Sequence, residues 1–352
     1  MTSRERIATI LTGGIPDRVG RDESPWGETI DRWLGEGMAK DEDLSERFDF
    51  DFDFIGGGDF SFGFDYQVVE ETDEHVIAWD SNGVLRKDLK RKSGYTPHWY
   101  DHKIKSRADW FEHKGRLKVT AGRVSASIKE ECDRARASNK FVCYRTTEPY
   151  ELAWPVFGQT AIFTLMMDDP ELIRDVFDTY ATMIVDMIEA IFAAGGHFDG
   201  AFFYGDLGYR NTTLFSPALY RELLFPQHQR ICRYLRDHGK PVILHSCGKI
   251  DALIPQFIEA GFSALQPIEA KTGMDVRNLK QMYGNQITFY GNIDIRKLSG
   301  TKADIEEEIS SKVPVAMKGG GYIFHSDHSV PPTVSWENYC YAIELLDKYG
   351  KY

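Results

Sequence analysis

Cysteine is scarce in this chain. There are five in 352 residues (Cys132, Cys143, Cys232, Cys247 and Cys340), an odd number without framework spacing. No disulfide scaffold fits that pattern, so the expected compartment is the reducing cytoplasm. Positive charge is also short: 42 Lys and Arg face 54 Asp and Glu, a formal net charge of −12. Such a balance excludes non-specific binding to nucleic acid or to an anionic membrane surface. No apolar run approaches the length of a bilayer span, and the opening MTSRERIATI lacks the apolar core of a signal peptide. Common catalytic signatures are missing as well, with no GxSxG, HExxH or CxxC and no kinase set. The glycine triplets at 56–58 and 319–321 stand outside any phosphate-binding context, which excludes the usual nucleotide sites.

What is present reads as a soluble globular chain, 42% hydrophobic and 27% charged. Its length suits a (β/α)8 TIM barrel with an extension, written as one domain over 1–352. Residues 1–120 hold the extension and the early barrel elements, and 121–352 the main barrel portion. The first part is irregular: a helix over 3–11, a Phe/Asp/Gly-rich passage over 48–65, and alternation over 67–78 and 83–88 that predicts a β-hairpin turned at 80–83. Residues 56–65 and Trp79 are candidates for part of a pocket lid. Beyond residue 120, strands are expected at 141–146, 198–204, 241–245, 264–266, 287–291 and 322–324. Helical patterns fall between them at 170–194, 217–238, 250–260, 276–283 and 302–315. Strand–helix alternation of this kind implies a parallel sheet.

Polar groups come directly after those strands. They are Glu148, Asp206, His245 with Cys247, Asn292 with Asp294, and His325 with His328. Parallel barrel strands all point one way, so these groups should converge on the rim where barrel enzymes keep their chemistry. His245 and Cys247, in KPVILHSCGKI, supply imidazole and thiolate two residues apart, half of a zinc site. Each residue also has a plainer role open to it. His245 could be a hydrogen-bonded barrel histidine, Glu148 and Asp206 could cap the segments after them, and His328 could support the turn at 330–332. Tyr204, Tyr209, Tyr290 and Tyr322 could be packing residues.

The stretches FDGAFFYGDLGYR, SPALYRELLFPQHQRICRYLRDHGKPVILHSCGKI, FSALQPIEAKTGMDVRNLKQMYGNQITFYGNIDI and GGGYIFHSDHSVPP resemble, in order, the uroporphyrinogen decarboxylase superfamily. That resemblance implies a (β/α)8 barrel and one of two chemistries: decarboxylation of a tetrapyrrole, or zinc-assisted methyl transfer involving a corrinoid. It also implies, for the decarboxylases, an N-terminal arginine segment like RQAGRY. Here the region reads IPDRVGRDESPWGETIDRW, with Arg18 and Arg21 set among Asp17, Asp22 and Glu23. His328 resembles the late histidine of the decarboxylases. The methyltransferase branch implies H-x-C followed far downstream by a third cysteine. His245 and Cys247 match the first two, but at the third the chain reads Phe324-His325-Ser326. His325 is therefore the expected third metal ligand, with Glu148 or Asp206 as a carboxylate alternative.

The expected function is transfer of a methyl group from a small methylated substrate (a methoxyarene or a methylamine-type compound) to a corrinoid. Zinc is the expected cofactor, on His245, Cys247 and His325. Asp206, Glu148 and His328 are the expected catalytic groups, and Tyr204, Tyr290 and Asn292 the substrate-binding ones. No DxHxxG corrinoid motif is present, since Asp73-Glu74-His75 runs on into Val-Ile-Ala. The corrinoid is thus expected on a separate partner protein, and the reading allows a homodimer. A metal-free decarboxylase, with Asp206 steadying pyrrole nitrogens, is the alternative within the fold. A non-catalytic barrel that holds a corrinoid or tetrapyrrole is the third reading.

Overall fold

The computed structural model describes residues 1–90 and 96–352. Twelve strands are found among them: β1 (Gly20–Arg21), β2 (Phe52–Ile55), β3 (Gln67–Glu71), β4 (His75–Trp79), β5 (Val84–Leu89), β6 (His98–His102), β7 (Phe141–Thr147), β8 (Gly200–Tyr204), β9 (Val242–His245), β10 (Ala264–Gln266), β11 (Thr288–Tyr290) and β12 (Tyr322–Phe324). Eight of them form one parallel sheet in the order β1-β12-β11-β10-β9-β8-β7-β2. The six strands from β7 onward are buried on both faces and read as short apolar runs, as strands covered by helices must.

The sheet closes into a barrel through Asp51, just before β2. Its N–H donates to the Arg21 carbonyl (2.9 Å), and its carboxylate accepts from the Arg21 N–H (2.8 Å). The same carboxylate takes Arg6 (2.7 Å) and Arg18 (2.8 Å) and is wholly buried. One acid thus ties the opening helix and both seam strands together. A buried charge is tolerable on such terms because every oxygen is engaged by cations and N–H groups.

Side chains at alternate positions fill the lumen in layers. Phe52, Phe141, Cys143, Phe202, Ile243, Ala264, Tyr290 and Ile323 form the inner cluster, with Phe54 packed against it. Register sets the layers: Arg145, Phe202, Ile243 and Ala264 lie side by side, and two residues on come Thr147, Tyr204, His245 and Gln266. Helices cover the outside. The longest, Pro170–Ala193, starts on Asp169, whose side chain accepts from the Leu172 N–H, with proline at its first position. It turns Leu172, Ile173, Val176, Phe177, Tyr180, Ile184, Met187, Ile188 and Ile191 onto the barrel. Among the described residues no helix is long and apolar enough to cross a membrane.

Two expectations are corrected. The alternation at 67–78 is not one strand. Thr72 turns it, accepting from the Glu74 and His75 N–H groups, so β3 and β4 form a hairpin of their own. The turn at Asp80–Gly83 then makes a second hairpin with β5, and β6 completes a four-stranded antiparallel sheet. The helix expected over 217–238 is interrupted by a π-helical turn at Tyr220–Leu224, which a 3.6-residue period cannot signal.

Candidate metal centre

The C-terminal ends of the barrel strands surround a cavity of about 510 Å³, lined by Arg145, Phe202, Tyr204, His245, Cys247, Gln266, His325 and His328, among others. A larger hollow of about 790 Å³ lies at the opposite end, but its charged lining is largely committed: Arg6 is paired with Asp17 and Asp51, and Asp49 with Arg18. The rim cavity is where unshared donors gather.

β9 delivers His245, and Cys247 lies where the chain turns off the strand. Two loops cross here. Gly248 has φ +82°, and a Cβ there would lie 2.3 Å from the Gly208 carbonyl carbon, so only glycine lets the loops touch. The Ser246 hydroxyl accepts from the Leu207 N–H (2.9 Å). Tyr209 and Lys249 bridge the same crossing. Asp206, just after β8, is thereby fixed beside the His-x-Cys pair, and its Oδ1 accepts from the Cys247 N–H at 2.8 Å.

His245 Nε2 lies 3.4 Å from Cys247 Sγ and 3.5 Å from Asp206 Oδ1. A tetrahedral zinc at ordinary bond lengths keeps nitrogen, sulfur and oxygen ligands about 3.3–3.6 Å apart. Both His245 distances therefore match ligands of one ion, and the three donor atoms all lie within 4.8 Å of one another. Orientation agrees. His245 Nδ1 points at Gln266 Oε1 and donates to it, which leaves the Nε2 lone pair facing the cluster. Gln266 in turn sets its amide nitrogen toward His325 Nε2 (3.4 Å). A second group, Cys247 with Glu269 and His328, shares the thiol, and its donor atoms also lie within 4.8 Å of one another.

Electrostatics separates the acids. Burial opposes ionisation of Asp206, but His245, the Cys247 N–H and the Tyr204 hydroxyl together hold it below the usual carboxylate range. Next to it, burial and the Asp206 charge push Glu151 up to about 8. The negative charge therefore rests on Asp206. Burial, then Asp206 and Glu269, push the Cys247 thiol up, so that a bound cation would have to displace its proton. Burial also lowers His328, which is neutral near pH 7.

The expected residues fall into two sets. His245, Cys247, His328 and Tyr204 line the cavity, with Asp206 against the first two. Tyr204 stacks on the His245 ring at 4.6 Å and donates to Asp206 Oδ2 at 3.0 Å. His325 lines the cavity but stands behind His245, its Nδ1 on the Ser326 carbonyl at 2.6 Å and its Nε2 near Glu23 at 3.3 Å. It belongs to neither donor group. Glu148 is fully buried: it accepts from the Tyr150 and Glu151 N–H groups as a helix N-cap and from His228 Nε2 at 2.9 Å. Tyr290 is buried, with its hydroxyl on Asp22. Asn292, at φ +71°, clamps the loop after β10 through the Ile268 and Met274 carbonyls and the Val276 N–H. Asp294 caps the helix Ile295–Leu298 and pairs with Arg296. Sequence reasoning missed Glu269, Gln266 and Arg145. Glu269 and Gln266 follow or end β10, so the strand-end rule applied to that strand would have found them.

Known proteins bear on this geometry. The match to a solved methyltransferase from Methanosarcina mazei covers 99% of both chains with a TM-score of 0.70 at 15% identity, which shows the same fold. In sequence, the chain is similar to Uroporphyrinogen decarboxylase of Idiomarina loihiensis, 26% identical over 189 residues, 53% of this chain and 50% of that protein. It is similar as well to Methylcobamide:CoM methyltransferase MtaA of Methanosarcina barkeri, 26% identical over 138 residues, 39% of this chain and 38% of that protein. The chain thus spans about half the length, or less, of the curated relatives it matches. The family model for Uroporphyrinogen decarboxylase (URO-D) matches residues 141–349, from the first residue of β7 into the last helix. With well over half its length matched, in a barrel that carries its donors where those strands end, the chain belongs to the uroporphyrinogen decarboxylase family.

Proposed function

We propose that this protein is a zinc-assisted methyltransferase, moving a methyl group from a small methylated substrate to a corrinoid carried by a separate protein. One observation carries the reading: Asp206, His245 and Cys247 bring oxygen, nitrogen and sulfur donors within 4.8 Å of one another, His245 at zinc-ligand distance from the other two, with His245 and Cys247 open to the rim cavity. His245, Cys247 and Asp206 would hold the ion, with Glu269 or His328 near enough to complete the set. When bound there, zinc supplies Lewis acidity toward the heteroatom that bears the methyl group.

The chain's own residues do the rest. Gln266 keeps His245 in the tautomer whose Nε2 faces the cavity. Tyr204 orients Asp206 and, with Phe202, gives the site an aromatic wall. His328, neutral and edge-on to Trp26 at 5.8 Å, is placed to hydrogen-bond the departing heteroatom. The decarboxylase reading assigns the holding of several carboxylates to the N-terminal arginines. Arg18 is buried on Asp49 and Asp51, and Arg21 on Asp347, so neither is available.

The test is methyl transfer from a panel of methoxyarenes, methylamines and methyl thioethers to cob(I)alamin, read as methylcobalamin formation. Zinc-loaded protein should turn over at least one class, and Cys247→Ser should lose about a hundredfold or more of that rate. Carbon dioxide release from uroporphyrinogen without methyl transfer would overturn the proposal.

A further inference from the structure

Arg145 is the charged side chain in the rim cavity that the metal centre does not use. It sits on β7 facing the lumen, in register with Phe202 and two residues short of the layer that holds Thr147, Tyr204 and His245. Two residues of strand span about 6.6 Å. Its guanidinium carbon lies 4.0 Å from the centre of the Phe54 ring and 5.2 Å from that of Phe202, so the group is held in place by aromatic faces. Among the described residues it has neither an ion pair nor a hydrogen bond. Its side chain is exposed, whereas Arg6, Arg18 and Arg21 are buried and each matched to a carboxylate. The nearby acid, Asp22, is occupied by the Tyr290 hydroxyl instead.

A guanidinium with its donors free, at the floor of an otherwise aromatic and metal-liganding cavity, recognises an oxyanion by charge-assisted and often bidentate hydrogen bonds. We infer that Arg145 binds an anionic group of the substrate, so that the substrate is a small methylated carboxylate or sulfonate whose anion lies one side-chain layer below the His245–Cys247 pair. The inference deepens the methyl-transfer reading and rests on it for the identity of the anion's carrier. Phe202 joins the two ends, its ring 6.0 Å from that of His245 and 5.2 Å from the guanidinium. A benzene ring substituted at opposite positions by carboxylate and methoxy group spans that layer, and its flat faces match Phe202 and Phe54. An alkyl thioether sulfonate is shorter and flexible, with no ring to stack.

The test is calorimetric binding to the zinc-loaded full chain, with para-methoxybenzoate, its neutral amide and methylthioethanesulfonate as probes. Wild type should bind para-methoxybenzoate about ten- to a hundredfold tighter than the amide, the margin of a charged hydrogen-bonded pair in a pocket. Arg145→Met should abolish that preference and Arg145→Lys should keep part of it. Tighter binding of the sulfonate than of the benzoate would assign the anion site to the shorter ligand. The comparison of benzoate with amide on wild type stands even if Arg145→Met fails to fold. Equal binding of acid and amide, no measurable binding of either anion, or an acid preference that survives in Arg145→Met would each overturn the inference. Arg145-dependent binding in a protein that transfers no methyl group would keep the anion site and remove the methyl-transfer reading. Methyl transfer that needs no anion and is undiminished in Arg145→Met would do the reverse.

Discussion

Gln266 orients His245 of the proposed metal centre without belonging to either donor group. Its carbonyl oxygen accepts from the His245 Nδ1–H, and its amide nitrogen faces His325 Nε2. Gln266→Leu keeps the side chain's size and removes both contacts, freeing the imidazole to turn. Zinc affinity should fall about 10- to 100-fold, as when other orienting partners of a ligand histidine are lost. A chelator-competition titration reads this, and unchanged affinity would show that the ring is held by packing alone. Asp22 tests the electrostatics of the lumen. Burial pushes its carboxyl up to about 6, against an ordinary 3.8. Its folded pKa is raised, so the folded state holds the proton more tightly. Its cost to stability is absent below about pH 4, grows as pH rises through about 6, and is full above that. Asp22→Asn should therefore be more stable than wild type at pH 8, by up to about 3 kcal/mol, and no more stable at pH 4. Denaturant melts at the two pH values check it, and a gain that is larger at pH 4 would contradict the sign.

At the scale of elements, the barrel depends on a seam that is short of hydrogen bonds. β1 has two residues, and β1 and β2 meet chiefly through Asp51. Asp51→Ala removes a buried anion and leaves Arg6 and Arg18 without their shared partner. A loss of about 3–5 kcal/mol is expected on an equilibrium denaturation curve, the usual cost of breaking a buried pair from one side. A loss below about 1 kcal/mol would mean that the helices, not the seam, hold the barrel closed. The same seam marks where reading the chain stops. The strands from β7 onward were legible because burial on both faces makes each a compact apolar run between helical periods. β1 and β2 were not, since Gly-Arg and Phe-Asp-Phe-Ile carry no such run and are strands only through partners about 90 and 300 residues away. At the site, His245, Cys247 and Asp206 were legible from strand ends. His325, expected as a ligand, lies outside both donor groups, and its place in the sequence says nothing of Gln266 standing between it and His245. Glu148, Tyr290 and Asn292 follow or end strands too, but their polar atoms serve an N-cap, a buried hydroxyl contact and a loop clamp.

For the whole molecule, helices, seam and crossing loops converge on one consequence: three donors from two strand ends are held within 4.8 Å of one another beside aromatic side chains. The most direct measurement is the zinc content of protein purified from zinc-supplemented cells, by elemental analysis, for wild type, Cys247→Ser and His325→Ala. Stoichiometric zinc in wild type, its loss in Cys247→Ser and its retention in His325→Ala is the predicted result. Wild type without zinc, or zinc that survives Cys247→Ser but is lost with His325, would contradict the account.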